Sequence, residues 1–429
     1  MFQNSGLSLD QAPPISVVLR FFLAGSLWGI AAGAWLLLQG PSALNPAAPE
    51  GLILTHILTL GVMLSFMLGA LFQMLPVLAG VALKDPVTLA IRSQWPILFG
   101  TLALLSAFGS ASAPLYLLAT LLLGAGLLPV AWRMLRRLYL LQDHSASSRG
   151  MGFALYNLLL LVLIGFWMIA LLGGWTSRGD LLALRQVHLG LGLLGWITLL
   201  IVSVSFQVIE MFYVTPPYPK SYARWLPSLV TGLLTLEFVA ALNLPSALPW
   251  LESAAALLVA VHALLTLRRL SQRQRPLADA TVWFWRIGMG SLAAAMLLWI
   301  VGNFTNLSIA WSETLYTLYV TFALSIVFAM AYKIVPFLTW FHLNAQGYFN
   351  APMMHEVIHP RYAMRHLSLH LTALFTALFA AWSTPGLWHL TGTLLILSFA
   401  WIALAIYRAW HRYLEVQANG ERFEFPSMK

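Results

Sequence analysis

Long apolar runs, broken by short polar segments, follow one another along the chain. They predict twelve membrane-spanning helices at 15–39, 51–83, 94–110, 113–135, 152–174, 182–213, 225–244, 247–268, 283–303, 312–341, 364–383 and 387–409. A membrane barrel would show alternating segments of about ten residues instead, and none occurs. Polar stretches are too short for a soluble domain. The predicted fold is therefore an all-α polytopic membrane protein in a single transmembrane domain. The second, sixth and tenth spans are the longest.

One word recurs inside these runs. It reads FQMLPVL at 72–78, FQVIEMF at 206–212 and YKIVPFL at 332–338, with spacings of 134 and 126 residues. Each copy falls at the same end of the second, sixth or tenth span. The chain thus divides into three four-helix repeats, approximately 1–140, 141–275 and 276–429. The opposite ends of these spans carry His56, His188 and Tyr316. The three helices share one direction, so Gln73, Gln207 and Lys333 lie about 25 Å deeper than those marks, at 1.5 Å per residue. Near an interface Gln and Lys can snorkel and Pro can end a helix, so the word also fits a plain interfacial role.

Composition sharpens the class. The 429 residues are 60% hydrophobic and 9% charged, with a mean hydropathy of +0.81. A soluble chain carries about 25% charged residues. The absence of cysteine excludes disulfides, thiolate metal sites, iron–sulfur clusters and c-type haem attachment. The N-terminal MFQNSGLSLDQAPP lacks a basic region and a cleavage site, which predicts a retained first helix.

Charge sets the orientation. Of 23 Lys and Arg residues, twenty fall on the side of both termini, only Arg178 and Arg185 on the other, and Lys333 within a span. This bias predicts cytoplasmic termini in a bacterial inner membrane. The net charge of +9 is scattered over short loops, which argues against a nucleic-acid partner. The lipid bilayer is the expected partner, and the oligomeric state is not legible.

Lys333 lies within a span, where an ion needs a counter-charge. Glu210, one turn from Gln207, is the expected partner, and Glu237 is the other intramembrane acid. The pair reads either as a structural bridge or as part of an ion path. HEVIH at 355–359 matches a zinc-protease pattern that needs both imidazoles on one helical face. Its position between Pro352 and Pro360 leaves too little helix, so a protease is not expected. Met63, Met67 and Met74 read as packing rather than a copper path. Gly25, Gly29 and Gly33 form a close-contact face. His366 and His370 read as interfacial, and Trp28, Trp132, Trp175, Trp225, Trp311, Trp340 and Trp388 as belt residues.

Twelve helices in three groups of four resemble subunit I of the haem–copper oxidase superfamily. The stretch THILTLGVMLSFMLGALFQMLP, from Thr55 to Pro76, is similar to the second helix of the nitric oxide reductase large subunit. YKIVPF and GWITLLIVSVSFQVIEMF resemble bacterial proteins associated with the same superfamily. The resemblance implies that His56 matches a low-spin haem ligand, and hence a b-type haem and respiratory electron-transfer partners. His188 and His389 are the candidates for the second axial ligand, with Tyr316 and Tyr319 weaker ones. The tenth span has no His before His342, and the seventh has none at all. The family's dinuclear reductase site, copper included, is therefore not implied, nor is terminal-oxidase or nitric-oxide-reductase activity. Two other readings stand beside this one. One is a transporter or channel using Lys333 and Glu210, and the other is a non-catalytic partner or assembly factor of a respiratory complex.

Overall fold

The computed structural model describes residues 12–275 and 277–422. Its long helices are α1 (Ile15–Gln39), α2 (Pro49–Ala79), α3 (Pro86–Ser110), α4 (Ala113–Tyr139), α5 (Ala146–Leu172) and α6 (Leu181–Tyr213). They continue with α7 (Lys220–Asn243), α8 (Leu248–Ser271), α9 (Ala280–Phe304), α10 (Ile309–Ala345), α11 (Pro360–Trp382) and α12 (Leu387–Asn419). Among the described residues no strand forms; the single β-bridge joins Tyr348 to Arg422.

Eleven of these helices are long and apolar enough to cross a membrane, so the architecture is that of a polytopic helical membrane protein. The exception is α11. Arg361, Arg365, His366, Ser368 and His370 occupy its first half and dilute its apolar character.

Burial sorts the helices into two layers. In the most apolar window of α2, 72% of residues are buried, and 83% in α6 and α10, against 33–44% in the other eight. These three are the inner helices. The outer helices close a ring through the contacts α1–α3, α3–α4, α4–α5, α5–α7, α7–α8, α8–α9, α9–α11, α11–α12 and α12–α1.

The α1–α12 seam depends on missing side chains. A Cβ on Gly33 would lie 2.8 Å from the Gly392 carbonyl oxygen, and one on Gly392 would strike the Leu37 nitrogen. A Cβ on Gly29 would strike the ring of Phe399. Of the glycine face expected from the sequence, Gly29 and Gly33 thus allow α1 and α12 to approach closely, while Gly25 faces Phe66 and Ser65 of α2.

The inner helices meet around a cavity of about 60 Å³. Phe66, Leu200 and Ile326 line it, as do Met67, Ile201 and Val327, and Ala70, Val204 and Met330. Within each trio the spacing is 134 and then 126 residues, the spacing of the repeated word. Equivalent positions of α2, α6 and α10 therefore face one axis. Met63, Met67 and Met74 all line this cavity, which agrees with a packing role.

Two inner helices carry π segments, Ile57–Met63 in α2 and Gly190–Thr198 in α6. In α6 neighbouring side chains take up carbonyls within that segment. The Tyr319 hydroxyl donates to the Leu193 oxygen (2.7 Å), and Asn157 Nδ2 donates to that of Gly195 (3.2 Å). Such external partners stabilise a locally widened helix. In α2 the segment lies where Gly61 packs against the Trp28 ring.

Candidate functional site

His56 stands immediately before its π segment on α2, and His188 two residues before the one on α6. Their ring centroids are 6.4 Å apart and their planes differ by 27°. The Nδ1 of His56 lies 2.8 Å from the Leu52 carbonyl oxygen. A carbonyl can only accept, so Nδ1 carries the proton and Nε2 of the neutral ring is left as an acceptor. Phe108 of α3 packs against the same imidazole at 4.9 Å. His188 faces α5 at Gly165, where an added Cβ would come within 3.2 Å of its Cε1. Its Nδ1 is buried near the Leu161 backbone and makes no well-formed hydrogen bond among the described residues. Both histidines remain partly exposed.

This pairing can be tested against a metal centre. With metal–nitrogen bonds of about 2 Å, two imidazoles on opposite sides of one ion have ring centroids roughly 6 Å apart. The observed 6.4 Å matches that span. Among the described residues, no group of three or more His, Asp or Glu side chains forms a metal site. Two axial nitrogens suffice for a haem, whose macrocycle supplies the other four.

The remaining candidates lie elsewhere. The ring of His389 docks on the end of α1. Its Nδ1 donates to the Leu37 oxygen (2.6 Å), and Gly40, at φ 55°, leaves room for its Nε2. Tyr319 is engaged with Leu193 and Thr198. Tyr316 is partly exposed, and its hydroxyl is buried with no hydrogen-bond partner among the described residues.

Glu237 of α7 is 1% exposed, lies against Gly190 in the π segment of α6, and has an unpartnered Oε1. Glu252 of α8 lies within its electrostatic reach and accepts from Trp299 Nε1 at 3.5 Å.

The inner ends of the helices correct several expectations. Lys333 does not pair with Glu210. Its Nζ lies 2.6 Å from Asp279 Oδ2 at the N-cap of α9 and sits over the Tyr213 ring. Glu210 instead accepts from the backbone N–H of Tyr218 (2.9 Å). The loop before α9 brings an acid beside Lys333, so the lysine finds its counter-charge at the start of α9 rather than on α6. Gln73 is 5% exposed, and neither of its amide atoms has a hydrogen-bond partner among the described residues, while Gln207 is partly exposed.

His366 and His370 are core residues rather than interfacial ones. The His366 ring bridges Tyr332 (Nδ1, 2.9 Å) and Ser398 (Nε2, 2.7 Å). The Nε2 of His370 meets Ser325 at 2.8 Å. Trp388 is also buried, and its Nε1 donates to Glu313 (3.2 Å). The HEVIH stretch is broken as expected. Its helix is only Met354–Val357, and His359 caps the next one.

Sequence reasoning missed His262 of α8. It is fully buried between the near-parallel rings of Tyr218 and Tyr222 and bonded to Ser205 and Thr266. An isolated His within the apolar run LLVAVHALL was the available signal. It missed Glu252 and Gln94 as well, each next to a serine at the start of an apolar run.

No protein-family model matches the chain, and no curated protein matches it.

Proposed function

We propose that this chain is an oxidase-like membrane protein that holds one b-type haem between His56 of α2 and His188 of α6. The observation that carries this reading is their 6.4 Å ring separation. A bound haem supplies a one-electron redox couple. The Leu52 carbonyl fixes the tautomer and orientation of His56 and strengthens its Nε2 as a donor to iron. Gly165 leaves space for the His188 ring, and a larger residue there would displace it. The π segments set the direction from which each histidine leaves its helix, a common use of such insertions at functional sites.

The closed outer ring and three inner helices support a haem–copper-oxidase-like layout with α11 as a twelfth membrane helix. On this reading the termini are cytoplasmic, the membrane is a bacterial inner membrane, and the histidine pair lies toward its outer face. A haem held there would suit one-electron exchange with a respiratory partner in oxygen or nitric oxide metabolism, without a dinuclear reductase site. The test is a haem count on purified protein by pyridine haemochrome assay. One haem per chain is expected, and a protein purified from haem-replete cells without haem would overturn the reading.

A further inference from the structure

Between α1, α2 and α3 lies a crevice of about 480 Å³ whose walls are almost wholly apolar. It is far larger than the central cavity, and its rim reaches the outside of the ring at Leu27 and Trp95, which are 56% and 50% exposed. One cation stands in it. Arg20 Nε donates to Gln94 Oε1 (2.5 Å), and Gln94 Nε2 returns a bond to the Arg20 backbone oxygen (3.2 Å). This reciprocal pair locks the guanidinium. Both of its Nη groups remain without a protein acceptor among the described residues.

The third repeat fills the corresponding ground with protein. Ser65 and Ser325 each stand seven residues before the aromatic of the repeated word. Ser325 is met by His370, with Phe284 and Phe328 packed alongside. In the first repeat Ser65 lines the crevice instead. An apolar trough with a fixed, half-free guanidinium therefore takes the place of a packed core.

We propose that this crevice is a binding site for one anionic glycerophospholipid. Its phosphodiester is held end-on by the two Nη groups of Arg20, and an acyl chain lies along α1 toward Trp28. Charge complementarity selects the head group, because two parallel N–H donors match two phosphate oxygens. Position supports the tail. Arg20 lies one to two turns inside α1, at head-group depth, and the wall from Arg20 to Trp28 runs about 12 Å into the apolar layer. Gln94 is a positioning residue that holds the guanidinium over the trough. The inference is independent of the haem reading.

Native mass spectrometry after detergent exchange tests it, with lipid extraction to identify the adduct. One tightly held anionic phospholipid per chain is expected. Arg20→Gln should lower its retention about fivefold or more, and Ala24→Phe, which fills the trough while keeping Arg20, should also expel it. Arg92→Gln, which alters an exposed arginine on α3, should leave retention unchanged. Equal retention in Arg20→Gln and wild type would overturn the proposal. So would the absence of an adduct, or an adduct whose mass is that of a fatty acid or a quinone.

Discussion

Lys333 Nζ and Asp279 Oδ2 stand 2.6 Å apart and tie the inner end of α10 to the start of α9. Asp279 also caps α9 through the Val282 N–H and accepts from Thr281, which in turn accepts from Tyr213 of α6. Burial pushes the Asp279 carboxyl up. The charge and hydrogen bond of Lys333, with the bonds from Thr281 and Val282, outweigh that and hold it below the ordinary carboxylate value. A depressed folded-state pKa stabilises above the unfolded value of about 4, and the benefit disappears as pH falls through the folded value. With 44% of the Asp279 side chain exposed, the pair contributes about 1 kcal/mol or less. Thermal melts of wild type and Asp279→Asn from pH 7 to pH 3 should differ most near neutrality and converge in acid. A constant offset across that range would show that the carboxylate charge plays no part.

The ring seam at Gly33 and Gly392 should tolerate no added bulk. Gly33→Leu drives a side chain into the Gly392 carbonyl and Ile396, and overpacking of this kind costs about 1–3 kcal/mol. The variant should melt well below wild type in the same detergent. Gly232, whose added Cβ would meet nothing within 4 Å, is the control, and Gly232→Ala should change little. Equal melting of Gly33→Leu and wild type would show that the α1–α12 approach does not limit packing.

His366 joins α10, α11 and α12 through Tyr332 and Ser398. His366→Phe keeps the ring volume but strands two buried hydroxyls, at about 1–3 kcal/mol. The double variant His366→Phe with Tyr332→Phe should recover part of that loss, since one stranded hydroxyl is gone. Failure of the second change to restore any stability would locate the cost in packing rather than in the hydrogen bonds.

The helices were legible because apolar length alone marks them, and the spacing of the repeated word marks the inner three. The ends moved for local reasons. α3 begins at Pro86, ahead of its most apolar stretch. α12 runs on to Asn419, where Tyr413 and Val416 still find buried positions. The π segments were not legible, because a hydrophobic pattern does not report which external donor will take a carbonyl such as that of Leu193. The partners of Lys333, His366 and His370 were missed because they lie 54, 34 and 45 residues away in the chain. The α2 histidine was legible through its resemblance, but its closeness to His188 required the fold.

The measurement closest to the central proposal is a reduced-minus-oxidised absorption spectrum of the purified protein, with His56→Ala and His188→Ala measured alongside. The account predicts the sharp bands of a six-coordinate, low-spin b-type haem in wild type, and their loss or conversion to a high-spin form in each variant. A folded wild type with no Soret band, or variants with the wild-type spectrum, would contradict it.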